Sequence, residues 1–210
     1  MGTDQGIAVH SSPARVFNDK QTISRIKIEI DGEVGYLLHS EYITSIAIDG
    51  ANRKWIGTEK SGVFLISENG TEQIQHFTIK NSPLPSNAIT SLQINNETGE
   101  VYIATDGGLV SFITDATTGD NTMENLRVYP NPVRNTYTGD IYITGVVDDA
   151  IIKITDITGN LVKTLQANGG TAVWNGCNLY GNRVKTGVYL LYISDEEGNT
   201  TKMTKILVVN

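Results

Sequence analysis

The feature that most limits the fold of this chain is an internal repeat in its first half. Residues 43–66 read ITSIAIDGANRKWIGTEKSGVFLI, and residues 89–113 read ITSLQINNETGEVYIATDGGLVSFI. The two Ile-Thr-Ser triplets lie 46 positions apart, whereas Thr58 and Thr105 lie 47 apart. The extra residue falls in a turn rich in Asn and Gly, where an insertion disturbs a fold least. A period of this length predicts repeated structural units that stack on one another.

Each copy of the repeat contains several short β-type segments. Strands are predicted within one period at Ile43–Ile48, Lys54–Thr58, Gly62–Ile66 and Gln73–Ile79. Four strands in about 40 to 50 residues are typical of one blade of a β-propeller. The segment at 81–87, NSPLPSN, contains two prolines, which cannot donate to a strand ladder. It is therefore predicted to join one blade to the next.

The first residues of the chain match the end of the repeat. Residues 2–7, GTDQGI, correspond to residues 57–63, GTEKSGV, which predicts a clipped third blade. Two blades and a remnant cannot close a ring of about four to eight blades. Residues 1–118 are therefore predicted to be the terminal blades of a larger, truncated propeller. The stretch before the first full repeat departs from the pattern and is predicted to hold strands at Ile23–Ile30 and Gly35–Leu38.

The second part of the chain has a different pattern. Residues 119–126 lie in a polar stretch and are predicted to be a linker. Residues 127–210 are predicted to form a domain with strands at about 126–129, 140–145, 150–157, 160–166, 171–174, 187–194 and 201–209. Short strands separated by Gly, Asn and Asp turns predict an immunoglobulin-like β-sandwich, and Trp174 is large enough to fill the space between its sheets. The fold class expected for the chain is all-β, a partial β-propeller followed by this β-sandwich.

Charge is distributed unevenly between the two parts. Residues 1–126 hold 8 Lys/Arg and 16 Asp/Glu, a net charge of −8, whereas residues 127–210 hold 8 and 7, a net charge of +1. The acidic first part argues against nucleic acid or an anionic membrane as a partner. Cys177 is the only cysteine, so no disulfide can form within the chain. No apolar stretch reaches the length of a transmembrane helix, and the first ten residues do not resemble a signal peptide.

The sequence offers no catalytic, cofactor or metal site. The chain contains three histidines: His10, His39 and His76. None of them has ligand spacing to another or to Cys177. Asp49 and Asp106 fall in turns, where carboxylates accept nearby backbone N–H groups. The chain is therefore predicted not to be an enzyme and to need no cofactor.

Four segments of the second part occur in an order that one known family shares. They are Tyr129–Pro132 (YPNP), Ile154–Val162 (ITDITGNLV), Trp174–Tyr189 (WNGCNLYGNRVKTGVY) and Lys205–Asn210 (KILVVN). This set resembles the C-terminal sorting domain of the type IX secretion system of Bacteroidetes. The resemblance implies that the domain directs export through the outer membrane. It also implies a set of motif residues: Pro130, Asn131, Pro132, Trp174, Gly187, Val188, Tyr189 and Lys205.

The repeat carries a second resemblance. Trp-Ile-Gly-Thr at 55–58, followed by Gly-Val at 62–63, resembles the blades called two-component regulator propellers. Together the two parts resemble the C-terminal portion of the PorZ-like surface propeller proteins of the type IX secretion system. That resemblance implies a non-enzymatic component of the attachment machinery at the cell surface, assisting delivery of anionic lipopolysaccharide to the sortase. It implies as partners the sortase and shuttle-type proteins of the outer-membrane complex, and it implies export through the periplasm with a signal peptide upstream.

Two other classes of protein remain open. One is a secreted enzyme or adhesin that carries the sorting domain as cargo, which requires a functional domain upstream. The other is the extracellular sensor of a two-component system, which requires a transmembrane helix and a kinase after the propeller. The sequence upstream of Met1 is the observation that would separate the three classes.

Overall fold

A computed structural model describes residues 1–10, 23–30 and 33–209 of the chain. Every regular element in this part of the chain is a β-strand, so the predicted all-β class is confirmed. The chain forms two compact units. Unit 1 comprises Met1–Asn95 and Glu100–Ile113, and unit 2 comprises Asn96–Gly99 and Thr114–Asn210. The domain boundaries predicted at 118 and 126 stay predictions.

The strands of unit 1 follow the predicted segments closely. They are β1 (Gly2–Thr3), β2 (Gly6–His10), β3 (Ile23–Arg25), β4 (Lys27–Ile30), β5 (Glu33–Tyr36), β6 (Ile43–Ile48), β7 (Lys54–Thr58), β8 (Val63–Ile66), β9 (Gln73–Phe77), β10 (Ile89–Asn95), β11 (Glu100–Thr105) and β12 (Gly108–Ile113). They form antiparallel sheets in the orders β1-β2-β3, β4-β5, β6-β7-β8-β9 and β10-β11-β12. The strand predicted at 23–30 is divided into two, which belong to different sheets.

The two full copies of the repeat fold alike. β6 to β9 form a four-stranded sheet, and β10 to β12 form the corresponding three-stranded sheet. The first strand of each copy shifts register at the same place, between Ile43 and Ser45 and between Ile89 and Ser91. Two equivalent blades, the second without a fourth strand of its own among the described residues, are therefore confirmed.

One threonine recurs at the same turn in all three copies. The hydroxyl groups of Thr3, Thr58 and Thr105 each donate to the carbonyl oxygen of a following glycine, at 2.8, 2.8 and 2.9 Å. Each hydroxyl oxygen also accepts a backbone N–H within its turn. The shared bonds confirm that the start of the chain matches the end of the repeat.

Glycine occupies the position where one blade meets the next. A Cβ atom on Gly2 would lie 2.5 Å from Cγ2 of Ile43, and one on Gly57 would lie 2.6 Å from Cγ2 of Ile89. Each isoleucine begins the first strand of the following blade. Ala104 holds the equivalent position in the last blade. The position is therefore a glycine in the two copies that are followed by another blade of unit 1. It is an alanine in the copy that no further blade of unit 1 follows.

Buried Asp49 holds the first turn of its blade together. Its carboxylate accepts the backbone N–H groups of Ala51 and Arg53 at 3.1 and 3.0 Å. It also accepts Nε of Arg53 at 2.8 Å and Nε1 of Trp55 at 3.0 Å. The predicted structural role of Asp49 is confirmed, and the network extends beyond the turn because it also satisfies the buried indole of Trp55.

Unit 2 is a sandwich of two antiparallel sheets. Its strands are β13 (Arg127–Tyr129), β14 (Ile141–Thr144), β15 (Ile151–Asp156), β16 (Leu161–Gln166), β17 (Thr171–Trp174), β18 (Gly187–Ser194) and β19 (Thr201–Val208). One sheet has the order β13-β14-β17, and the other has the order β16-β15-β18-β19. The predicted β-sandwich is confirmed, with each strand within about two residues of its predicted bounds.

The core of unit 2 lies between these two sheets. Trp174 is fully buried there, and its Nε1 donates to the carbonyl oxygen of Cys177 at 2.9 Å. Inward-facing aliphatic side chains from both sheets surround it: Ile141, Ile143, Ile152, Ile154, Leu191, Ile193, Ile206 and Val208. Met123, from the segment predicted as a linker, joins the same core and is only 1% exposed. That segment therefore contributes to the packing of unit 2.

Candidate functional site

The YPNP segment lies against the last strand of the sandwich. Nδ2 of Asn131 donates to the carbonyl oxygen of Lys205 at 3.1 Å, and Oδ1 accepts the backbone N–H of Leu207 at 3.1 Å. Two residues further on, the N–H of Val133 donates to the carbonyl oxygen of Leu207 at 2.8 Å. The carbonyl oxygen of Val133 accepts the N–H of Val209, also at 2.8 Å. The Asn131 side chain thus replaces one backbone unit of a neighbouring strand.

The flanking prolines explain why a side chain is used here. Pro130 and Pro132 have no backbone N–H, so this segment cannot build an ordinary ladder along β19. A primary amide carries both a donor and an acceptor, as a peptide unit does. Asn131 therefore supplies the pair of bonds that its neighbours cannot, and backbone pairing resumes at Val133, which forms a parallel bridge with Val208.

The other predicted motif segments lie beside the same strand. Gly187 pairs with Val208, and Val188 pairs with Leu207, because β18 runs antiparallel to β19. The segments YPNP, GVY and KILVV therefore lie side by side across β18, β19 and the edge bonded to Asn131. We call the segments Tyr129–Val133, Gly187–Leu190 and Lys205–Val209 the motif surface.

The motif surface is largely apolar and accessible to solvent. Along β18 and the end of β19, its large exposed side chains are Val188, Leu207 and Val209, with exposed fractions of 38%, 40% and 40%. Tyr129 is 48% exposed but stacks on Tyr142 in the other sheet. Lys205 adds an exposed cation. Exposed apolar side chains gathered around one charge are typical of a surface that contacts another protein.

Two of the predicted motif residues lie beneath this surface. Tyr189 is only 8% exposed and contacts the edge of the Trp174 ring, with 6.0 Å between ring centroids. Its hydroxyl group donates to the carbonyl oxygen of Lys185 at 2.8 Å. Burial, together with the charge of Asp156, raises the pKa of Tyr189 above its usual value. Tyr189 and Trp174 therefore support the surface from inside, whereas Val188 faces solvent.

Gly187 has no conformational need for glycine. Its φ is not among the positive values found for glycines in the described part of the chain. A Cβ atom there would meet only the Tyr189 ring, at 3.8 Å, which is ordinary van der Waals distance. A β-branched replacement of Gly187 would therefore not meet the backbone strain that a positive φ causes.

Three turns of unit 2 share a motif that sequence reasoning missed. They are DITGN at 156–160, NLYGN at 178–182 and DEEGN at 195–199. In each turn the first side chain accepts the backbone N–H of the last residue. The Thr158 hydroxyl and the Asn160 amide, donating to Asp156, lower the pKa of its carboxyl group to about 2. The sequence signal for these turns is an Asp or Asn followed by Gly three positions later and Asn four positions later.

The three histidines belong to unit 1. Nε2 of His76 lies 2.6 Å from the carbonyl oxygen of Ser61, and its ring stacks on Phe64 with 3.9 Å between centroids. Within the described ranges, no group of three His, Cys, Asp or Glu side chains could hold a metal ion. The same part of the chain contains no helix that is long and apolar enough to span a membrane.

The C-terminal part of the chain matches a known family. Residues 127–209 match the family of secretion system C-terminal sorting domains. These residues therefore form a C-terminal sorting domain, and the motif surface is made of three of its motif segments. The predicted resemblance to this family is confirmed.

The whole chain is similar to one solved structure in particular. This is PorZ of Porphyromonas gingivalis, described as an essential bacterial surface component of the type IX secretion system. The identity is 33% and the TM-score 0.67, and the match covers 100% of this chain but 28% of PorZ. Family and structural likeness together associate the chain with type IX secretion.

Other solved structures are more distant. The extracellular domain of the one-component system BT4673 from B. thetaiotaomicron shares 15% identity, with a TM-score of 0.27, and the match covers 92% of this chain and 27% of that one. The extracellular domain of the hybrid two-component system BT3049 from the same organism shares 12%, with a TM-score of 0.35, and the match covers 92% and 41%. The comparison with curated proteins returned no match.

Proposed function

We propose that residues 127–209 are an export address that the type IX machinery reads as a folded surface. The observation that supports this most is the pair of hydrogen bonds from Asn131 to Lys205 and Leu207. The first of these bonds joins residues 74 positions apart in the sequence. A linear tag would need only the last few residues, whereas this surface exists only while the sandwich is folded.

The motif residues divide into three roles within this proposal. Asn131, between Pro130 and Pro132, fixes the entering segment to β19. Gly187, Val188 and Lys205 form part of the face that the machinery contacts. Trp174 and Tyr189 hold that face from inside the core.

We further propose that the chain is part of a non-enzymatic component of the attachment machinery at the cell surface. The likeness to PorZ over the whole chain supports this role more than that of cargo, since cargo would share only the sorting domain. The protein would reach the outer membrane through the periplasm and meet the sortase and shuttle-type proteins there. A sensor is disfavoured by the presence of the sorting domain after the blades.

Delivery of anionic lipopolysaccharide to the sortase is the finer part of this proposal. The charge of the blades does not favour binding of an anionic ligand, because residues 1–126 carry a net charge of −8. A polar concave surface of unit 2 offers Arg127 together with Glu97 and Asp120, so it is not a basic groove. Cells that lack the protein should therefore be compared with the parent for lipopolysaccharide attached to secreted cargo. Unchanged attachment would contradict this role.

A secretion assay tests the export address directly. A periplasmic reporter with its own signal peptide is fused before the 210-residue chain in a host with type IX secretion. The reporter should reach the cell surface, and deletion of Lys205–Asn210 should trap it in the periplasm. Tyr180→Ala, on a side chain that is 86% exposed outside the motif surface, serves as the control and should be exported normally.

One outcome of this assay would contradict the proposal. If the intact fusion stays in the periplasm while the host's own cargo is exported, residues 127–209 are not an export address for this machinery.

A further inference from the structure

The outer edge of β19 is closed along one half and open along the other. From Lys205 to Val209, the backbone groups that face away from β18 are bonded to Asn131 and Val133. From Thr201 to Met203, β19 pairs only with β18 among the residues that the structure describes. We call the contact of Asn131 with Lys205 and Leu207 the Asn131 clip. Next to this clip, the sandwich ends in a short stretch of unpaired strand edge.

The register shows which backbone groups this open half presents. Backbone groups of alternate residues in an antiparallel strand face opposite neighbours. Because the N–H and carbonyl groups of Leu207 face Asn131 and Val133, those of Met203 and Thr201 face the same side. An added strand could thus form ladder bonds with Met203 and Thr201, up to the N–H of Lys205.

The side chains of β19 along this edge are apolar and basic, whereas the turn before Thr201 carries Asp195, Glu196 and Glu197. Lys153, Tyr192 and Met203 form one cross-strand row on the outer face of the sheet. Tyr192 is 44% exposed and Met203 is 61% exposed. The open half itself, TKMTK, contains two lysines and no carboxylate. An added strand that pairs with Met203 would therefore meet an apolar patch with Lys202 and Lys205 on either side of it in β19.

We propose that Thr201–Lys205 binds one extended strand of an acidic partner protein of the export machinery, added to the edge of the sheet beside β19. This inference rests on the proposed export function and names the partner of the same surface. Main-chain bonds to Met203 and Thr201 would give the affinity, and side chains would give the selectivity. The partner residue opposite Met203 would be apolar, and its acidic residues would reach Lys202 and Lys205.

Charge favours such a partner over a second copy of this chain. Two β19 strands paired edge to edge would bring four lysines together without a carboxylate from either strand. Like charges at close range disfavour pairing, and lysines on edge strands oppose self-association for this reason. An acidic strand turns the same lysines into favourable contacts.

The Asn131 clip defines the end of this site. It occupies the edge from the carbonyl oxygen of Lys205 onward, so an added strand has about five residues of β19 to pair with. A strand that slipped towards the C-terminus would displace the Asn131 amide. The clip therefore fixes the register of the partner, which links the YPNP motif to recognition.

Paired substitutions in the export assay test this site. In the full reporter chain, Met203→Pro removes an edge N–H without removing a ladder bond to β18, whereas Met203→Thr keeps the N–H and removes the apolar side chain. Met203→Pro should lower surface display about ten-fold, as expected for losing one or two hydrogen bonds. Met203→Thr should reduce display much less. Thermal unfolding of each purified chain shows whether the fold is kept.

A second pair of variants tests the charge and does not depend on proline. Replacing Lys202 and Lys205 by Glu should reduce display strongly, whereas replacing both by Arg should preserve it. If Met203→Pro lowers the melting temperature, the lysine variants decide the question.

Three outcomes would overturn the inference. Normal export of a folded Met203→Pro chain would show that the edge is not used. Normal export of the Glu pair would exclude an acidic partner. A dimer of the purified chain that Met203→Pro dissolves would identify a second copy as the occupant. Each of these leaves wild-type export intact, whereas failure of the export address itself would appear as loss of wild-type display.

Discussion

At the scale of single residues, Asn131 connects two segments that are far apart in the sequence. It is exposed, yet both ends of its amide are bonded to the backbone of β19. An alanine at this position would leave the carbonyl oxygen of Lys205 and the N–H of Leu207 to water. The contact is thus a side-chain substitute for strand pairing. Its loss should weaken the protection of the backbone of β19 only near Lys205 and Leu207.

Hydrogen exchange measures this local effect. In Asn131→Ala, the amide of Leu207 should exchange roughly five-fold faster, because one hydrogen bond contributes about 0.5–1.5 kcal/mol. The amide of Ile206 should change little, since its backbone groups face β18. Asn135→Ala, on an exposed neighbour in the same segment, is the matched control. Equal exchange at Leu207 in Asn131→Ala and the parent would show that the amide does not hold the edge.

The resemblance to the sorting domains implied that Asn131 is a motif residue, but the sequence did not indicate what this residue contacts. Its partners lie in the last strand of the chain, and no local periodicity reports a contact between a side chain and a distant backbone. The conformation of Gly187 could not be predicted from sequence either. Its pairing with Val208, a residue of the last strand, holds it as the first residue of β18.

At the scale of elements, the blades of unit 1 pack through glycine. Gly57→Ala should destabilise unit 1 by about 1–3 kcal/mol, because the new methyl group would overlap Cγ2 of Ile89 in a packed interface. Gly35→Ala is the control, since a Cβ atom added at Gly35 would meet no other atom within 4 Å and the φ of this residue is not positive. Urea unfolding of the two variants gives the comparison. Equal stability of both would show that the blades do not meet closely at Gly57.

Most strands could be predicted because their signal is local. Alternation in Ile43–Ile48 and the Gly/Asn turns of unit 2 fixed the bounds of elements to within about two residues. The position of Met123 could not be predicted, because a single buried side chain in a polar segment leaves no periodic trace. Sheet order in the sandwich likewise depends on pairings between strands far apart in sequence, such as β14 with β17.

At the scale of the whole molecule, the chain combines PorZ-like blades with a C-terminal sorting domain. The blades are acidic and the sorting domain nearly neutral, and each unit has its own hydrophobic core. The YPNP, GVY and KILVV segments of the sorting domain are far apart in sequence, yet they lie side by side along β19 in unit 2. The proposed export signal would depend on folding, which separates it from a linear tail.

One measurement distinguishes a folded signal from a linear one. A periplasmic reporter is fused either to residues 200–210 alone or to the complete 210-residue chain, and the fraction displayed at the cell surface is compared in a host with type IX secretion. The short tail retains Lys205–Asn210 but lacks Asn131, β18 and the core that aligns them. Only the reporter on the complete chain should reach the surface, with the short fusion held in the periplasm. Equal surface display of the two fusions would contradict a folded export signal.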